Sequence, residues 1–123
     1  MPALTGALLG DRERKALDQF VDLLRCELGE DLVGAWLYGS RARGEATHCE
    51  SDIDVMVVTR GGRRRDLDRV LGAALQAERL IRGEGTVLAP FVADPEWIAG
   101  RRAIGSFFMQ EVDRDKLVLV GAP

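Results

Sequence analysis

Two aspartates, Asp52 and Asp54, stand one residue apart near the start of an apolar strand that we predict over Ser51–Thr59. On a strand, side chains at positions i and i+2 lie on the same face, so both carboxylates project together. Like charges at this separation repel each other unless a cation lies between them. Mg2+ prefers carboxylate oxygens together with phosphate oxygens as ligands. The pair is therefore a candidate magnesium site.

A Gly-Ser turn precedes this pair and follows an apolar strand predicted over Leu32–Tyr38. Gly39 can adopt backbone angles closed to other residues and lets a phosphate approach the main chain, and Ser40 adds a hydroxyl donor. The residues that follow are predicted to form a short helix whose free N–H groups attract anions. Arg41 and Arg43 add positive charge. We predict that Gly39, Ser40 and Arg43 bind phosphate.

The spacing of these two features resembles a known family signature. Gly39-Ser40, eleven intervening residues and then Asp52-Ile53-Asp54 are similar to the signature of the polymerase β-like nucleotidyltransferase superfamily. The surrounding Gly-Ser-Arg-Ala-Arg-Gly and Ser-Asp-Ile-Asp segments resemble its small bacterial branch, the minimal nucleotidyltransferases. The resemblance implies a nucleotidyltransferase-like fold, ATP as the substrate and Mg2+ as the cofactor.

The resemblance also implies a reaction, the transfer of a nucleotidyl group from ATP to an acceptor hydroxyl with loss of pyrophosphate. In that reaction Gly39 and Ser40 would hold the β and γ phosphates. Asp52 and Asp54 would be the catalytic residues and the metal ligands, holding two Mg2+ ions in a fully active member of the family. The general base is not assigned.

Fully active members are expected to carry a third acidic residue on a later strand. The matching strand here, Thr86–Val92, contains no acid. Asp94 follows it, but Asp-Pro at such a position is typical of a helix N-cap, which we favour over a third metal ligand. A site without that ligand would hold one Mg2+ ion. The alternative function is therefore a catalytically impaired nucleotide-binding or protein-interaction module of the same fold.

The acceptor is inferred from the size of the chain and from the resemblance. Small two-component relatives act as antitoxins that adenylylate a helical partner toxin of the HEPN type. A chain of 123 residues is expected to form one domain, residues 1–123, without a second substrate-binding domain. We therefore expect the acceptor site to come from a partner protein or from a second copy in a homodimer.

Composition excludes some classes of partner. The content of 46% hydrophobic and 30% charged residues is ordinary for a soluble globular protein. A net charge of -3 gives no electrostatic case for nucleic acid. The sequence contains no apolar run long enough for a membrane span and no signal peptide, so a cytoplasmic location is expected.

The remaining reactive or charged side chains carry weaker signals. Cys26 and Cys49 have no metal-binding spacing and are expected to be reduced thiols. His48 lies in the loop between the two motif segments, where a surface position is the usual case. The basic run Arg63–Arg65 is interpreted as a solvated helix start, with an anion nearby as the alternative.

The order of predicted elements indicates an α+β fold with an alternating, α/β-like order. Helices are predicted near residues 11–29, from Leu67 to about Gly83, and over Arg101–Asp113. A last strand is predicted over Lys116–Val120, and Pro90 favours an edge position or a bulge for the strand that contains it. We expect a small mixed β-sheet with helices packed on one face and the aspartate pair on the other, partly open face.

Overall fold

The computed structural model describes residues 7–45 and 52–123. The predictions for His48, Cys49 and the first residue of the second strand, Ser51, lie outside these ranges. The elements in chain order are α1 (Asp11–Leu28), β1 (Leu32–Tyr38), α2 (Gly39–Arg43), β2 (Ile53–Thr59), α3 (Gly62–Ala77), β3 (Leu88–Ala93), α4 (Pro95–Ala103), α5 (Phe107–Asp115) and β4 (Leu117–Gly121).

The four strands form one mixed sheet in the order β3-β2-β1-β4. β1 pairs antiparallel with both β2 and β4, whereas β2 and β3 are parallel. The chain crosses from β2 to β3 through α3, as a parallel connection requires. β3 is an edge strand, which confirms the position predicted from Pro90, because proline cannot donate a hydrogen bond to a second neighbouring strand.

The long helices α1 and α3 pack on one face of the sheet, as the apolar periodicity predicted. Their contribution to the larger core includes Leu17, Phe20, Leu24, Val70 and Ala74, which meet inward strand residues such as Leu37, Val55 and Val57. The mixed α+β fold is thus confirmed.

The second face of the sheet is less open than we predicted. Residues Trp36, Met56 and Val58 project from it, and Ile98 of α4 and Met109 of α5 pack against them in a second apolar cluster. Apolar strand residues on both faces require cover on both faces, because exposed apolar surface is unfavourable in water. Tyr38, which pairs with Asp54, packs against the edge of this second cluster.

The helix predicted over Arg101–Asp113 is wrong, because two shorter helices meet within that range. α4 ends at Ala103, Gly105 has a positive φ of 68°, and the Ser106 side chain caps α5 by accepting a hydrogen bond from the Met109 amide. α4 begins at Pro95, where the Asp-Pro pair predicted a helix start. In the part of the chain that the structure describes, no helix is long and apolar enough to cross a membrane.

Candidate active site

The two halves of the sequence motif meet at the junction of β1 and α2. β1 ends at Tyr38, which lies opposite Asp54 in the antiparallel register. α2 begins at the next residue, Gly39, whose φ is +77°. A Cβ atom on Gly39 would lie 2.6 Å from the Asp54 Oδ2 atom. The glycine is therefore required both for its backbone conformation and for the close approach of the carboxylate.

Asp54 carries a charge that the described residues do not neutralise. Burial raises the pKa of the Asp54 carboxyl above its ordinary value, and the negative charge of Asp52 raises it further. Asp52 itself is exposed. Within residues 7–45 and 52–123, neither carboxylate forms an ion pair with an arginine or a lysine. A divalent cation would relieve this repulsion, so the donor chemistry fits a Mg2+ ion.

The charge of Asp54 also affects the pKa of Tyr38. Burial of the ring and the nearby Asp54 carboxylate raise the pKa of the Tyr38 hydroxyl to about 12. The hydroxyl is therefore protonated at neutral pH and can act only as a hydrogen-bond donor or acceptor.

The two arginines of α2 have different surroundings. Arg41 is buried, and its Nη1 atom lies 2.9 Å from the Glu13 Oε1 atom and also donates to the Leu8 carbonyl at 3.2 Å. Burial would raise the pKa of Glu13, but the hydrogen bonds from Arg41 and the Gly10 amide hold it below its ordinary value. Arg41 therefore fastens α2 to the start of α1.

Arg43, the predicted phosphate ligand, is more exposed and lies on the side of α2 that faces α5. It forms ion pairs with Glu45 and with Asp115 of α5, both at 3.1 Å. A phosphate at Gly39 and Ser40 would have to draw Arg43 away from these carboxylates. Ser40 lies in the first turn of α2, half-buried beside Gly39.

The parallel register of β2 and β3 identifies the residues that occupy the expected third-carboxylate region. Ala89 lies beside Asp54, and Phe91 lies beside Met56 on the same face of the sheet. Across residues 7–45 and 52–123, no cluster of three or more histidine, cysteine or acidic side chains is arranged to bind a metal ion. The structure thus brings Asp52, Asp54 and Gly39 together, and it adds no third acid to them from residues 7–45 or 52–123.

Asp94 lies at the opposite end of β3. The preceding residue, Ala93, pairs with Val58, four residues along β2 from Asp54. The Asp94 Oδ1 atom accepts a hydrogen bond of 2.7 Å from the Trp97 amide, which caps α4. The interpretation of Asp94 as a helix cap is confirmed.

Comparison with known proteins identifies the family of the chain. A family model described as a nucleotidyltransferase domain matches residues 17–118. The chain belongs to the nucleotidyltransferase domain family. The matched range contains both halves of the motif, the strands β1, β2 and β3, and the start of β4.

One curated relative of this nucleotidyltransferase domain matches over part of its length. A Methanocaldococcus jannaschii protein named "putative protein adenylyltransferase" is 38% identical over 53 residues, which are 43% of this chain and 35% of that protein. This chain thus matches about a third of the length of that relative.

Two solved structures share the fold. One is of a mutant of the toxin-antitoxin MntA-HpeT, with a TM-score of 0.56 and 19% identity, and the match covers 85% of this chain and 73% of that chain. The other is of a toxin-antitoxin with AMP-PNP, with a TM-score of 0.55, 20% identity and the same coverage.

A row of aromatic side chains crosses the site face of the nucleotidyltransferase domain. The Phe108 ring of α5 lies 5.9 Å from the Tyr38 ring and 5.3 Å from the Phe91 ring, and Phe91 in turn lies 5.3 Å from Trp97 of α4. Sequence reasoning missed this row, because its four members come from four separate elements. The aromatic row fills the sheet face next to Ala89 with apolar rings.

A small pocket opens where α2 faces α5. It has a volume of about 110 Å3, and its walls include Tyr38, Gly39, Arg43, Phe108 and Glu111. Gly39 connects this pocket to Asp54, because the glycine contacts both. The nucleotidyltransferase domain therefore carries a concave site directly beside its paired carboxylates.

Proposed function

We propose that this domain binds ATP through Mg2+ and transfers a nucleotidyl group to an acceptor hydroxyl. The contact between Gly39 and the Asp54 carboxylate carries the proposal. This contact would bring bound phosphates and a metal ion within reach of one another, as nucleotidyl transfer requires.

Each motif residue has a distinct role in this proposal. Asp52 and Asp54 hold the metal ion, which when bound offsets charge on the phosphates. Gly39 leaves the main chain open to the β and γ phosphates, and the Ser40 hydroxyl donates a hydrogen bond to them. The antiparallel pairing of Tyr38 with Asp54 fixes where the carboxylate lies relative to the turn.

The relatives support the identity of the donor and of the acceptor. One structure with the same fold is a toxin-antitoxin with AMP-PNP, an analogue of ATP. The name of the Methanocaldococcus relative refers to adenylylation of a protein. We therefore propose ATP as the donor and a hydroxyl of a partner protein as the acceptor. The partner would be a HEPN-type toxin in an antitoxin-like pair, with a second copy of this chain as the alternative.

A second function is favoured by the surroundings of Asp54. Ala89 lies beside it where a third carboxylate would complete a two-metal site, and Asp94 is engaged as a helix cap. A domain with two acids holds one ion on the triphosphate but binds poorly the second ion that would activate the acceptor hydroxyl. Such a domain would bind ATP without transferring a nucleotidyl group.

Both functions require a nucleotide site, and calorimetric titration with ATP tests whether the domain has one. Wild type is expected to bind ATP with Mg2+ and to lose that binding in EDTA. Asp52→Ala and Asp54→Ala are each expected to weaken binding at least about tenfold, because each removes a charged ligand. Asp68→Ala, which removes an exposed acid from α3, is the matched control. Equal ATP affinity in all four proteins would contradict both functions.

Transfer is then measured with ATP labelled at the α phosphate. The labelled nucleotide is incubated with the domain and with the product of the neighbouring gene. Label on the partner that disappears in Asp54→Ala supports nucleotidyl transfer. Metal-dependent binding without any label on the partner or on the domain itself supports the non-catalytic module.

A further inference from the structure

We propose that the pocket between α2 and α5 receives the base of the bound nucleotide, stacked on Phe108 with Tyr38 at its edge. This inference rests on the proposed nucleotide binding and extends it to the residues that recognise the nucleoside. Stacking on an aromatic side chain is available to every base, because each base has a π face.

The pocket lies next to the motif because Tyr38 and Gly39 form part of its wall. Gly39 lines the pocket, and the same residue contacts Asp54. Tyr38 also lines the pocket and lies opposite Asp54 in the sheet. A nucleotide whose phosphates are held at Gly39 and Ser40 therefore has this pocket as its adjacent apolar surface.

The size of the pocket suits one planar group. Sites that enclose a whole drug-sized ligand have volumes of roughly 300–1,000 Å3. The volume here is about 110 Å3. The triphosphate would therefore stay outside, near the carboxylates, while a ring system enters the pocket.

Phe108 is held in place but remains accessible. Its ring meets the Tyr38 ring nearly perpendicularly, at 88°, and lies 5.3 Å from the Phe91 ring. The residue nonetheless remains 36% exposed. A rigid, partly exposed ring loses little conformational freedom when a base stacks on it, which favours binding.

The polar rim includes the carboxylate of Glu111, which lies near the positive charge of Arg114. Arg43 and Asp115 bond each other at 3.1 Å, and Asp115 also accepts from Arg114 at 3.0 Å. Glu111 forms no hydrogen bond or ion pair within residues 7–45 and 52–123, and it lines the same pocket. Its carboxylate can accept a hydrogen bond from an amino group of the base or from a ribose hydroxyl.

The test compares ATP with inorganic tripolyphosphate, each with Mg2+, by calorimetry. Phe108→Ala is expected to weaken ATP binding about 5- to 100-fold, the range for loss of one base-aromatic contact. Binding of tripolyphosphate, which has no base, is expected to stay within about twofold of wild type. Phe107→Ala is the matched control, because Phe107 is the neighbouring residue of the same helix, is 74% exposed and does not line the pocket.

Two further variants separate recognition from folding. Phe108→Leu keeps an apolar side chain against Phe91 but removes the aromatic face, so it should also lose ATP affinity selectively. Glu111→Gln should weaken ATP binding, whereas tripolyphosphate binding should hold or improve because a negative charge is removed.

The outcomes are distinct. Equal weakening of ATP and tripolyphosphate in both Phe108 variants, or unchanged ATP binding in both, would overturn the base pocket while leaving the proposed function intact. Failure of wild type to bind either ligand would overturn the proposed function and the base pocket together.

Discussion

Gly39 lies against Asp54 so closely that a single added methyl group would touch the carboxylate. The position of a Cβ atom on Gly39 is 2.6 Å from the Asp54 Oδ2 atom, and the φ of Gly39 is +77°. Gly39→Ala should therefore cost about 1–2 kcal/mol from backbone strain alone and displace the carboxylate. We expect lower thermal stability together with loss of Mg2+-dependent ATP binding.

Gly72→Ala provides the control for the Gly39 substitution. Gly72 lies within α3, and a Cβ atom there would have no neighbour within 4 Å. The same substitution should stabilise the protein by about 0.5–1 kcal/mol, because alanine is the better helix former. Unchanged ATP affinity in Gly39→Ala would contradict the assigned phosphate approach.

The metal-free stability of the protein should depend on the charge of Asp54. Burial and the Asp52 charge raise the pKa of Asp54 above 3.8, so its ionised form destabilises the folded state at neutral pH. Asp54→Asn should therefore melt at a higher temperature than wild type at pH 7 without metal. The difference should shrink as the pH falls through the raised pKa and vanish below 3.8.

Asp52→Asn is the control for this measurement. It removes the neighbouring charge but not a half-buried one, so its gain in melting temperature at pH 7 should be smaller. A lower melting temperature for Asp54→Asn at pH 7 would instead mean that the carboxylate holds the fold together.

The buried pair of Glu13 and Arg41 should be a structural requirement. Arg41→Met leaves the Glu13 carboxylate buried without its partner and should cost about 3–5 kcal/mol. The pKa of Glu13 is lowered below 4.5, so this stabilisation is present above pH 4.5 and is lost as the pH falls through the lowered pKa. Chemical denaturation as a function of pH measures both effects.

The comparable substitution on the exposed side of α2 should have a smaller effect. Arg43→Met removes ion pairs with Glu45 and Asp115 that lie nearer the surface, and it should cost at most about 1 kcal/mol. A similar cost for the two methionine variants would show that the Glu13 pair has no special role.

Asp94 should affect stability and not nucleotide binding. Asp94→Ala removes the hydrogen bond to the Trp97 amide and should cost about 1 kcal/mol, as loss of a helix N-cap does. Asp94→Asn, which keeps a capping oxygen, should cost less. ATP affinity and any transfer activity should match wild type in both variants, and loss of activity in both at unchanged stability would assign Asp94 to the site.

An acid at position 89 should complete the metal site. Ala89→Asp would place a third carboxylate beside Asp54, so the variant should be less stable than wild type without metal and should regain stability as Mg2+ is added. Ala89→Asn, similar in size but uncharged, should show no such rescue. Thermal melts across a Mg2+ series measure this, and labelled ATP tests whether transfer increases. Equal Mg2+ responses in the two variants would rule out a third ligand position at 89.

Phe91 lies two residues after Ala89 on the same face of β3, but it is a poor position for an acid. Its ring packs between Phe108 and Trp97, so an aspartate there would break two ring contacts and leave a charge among apolar groups. Phe91→Asp should destabilise the protein whether or not Mg2+ is present.

The motif and the element order were determined by local sequence. Alternation along a strand places Asp52 and Asp54 together whatever surrounds them, and Asp-Pro marks a helix start by capping chemistry within four residues. Apolar periodicity gave α1 and all four strands for the same reason, because each pattern depends only on neighbours along the chain.

The tertiary structure decided which residues, distant in sequence, contact these local features. No local pattern states that Arg41 will meet Glu13, 28 residues earlier, or that Ala89 will be the neighbour of Asp54. Those pairings depend on strand register and helix packing, which join residues far apart in sequence. The division of Arg101–Asp113 into two helices, at Gly105 and the Ser106 cap, lets both α4 and α5 contribute to the second apolar cluster, through Ile98 and Met109. The pocket at Phe108 exists only once that division has brought α5 against α2.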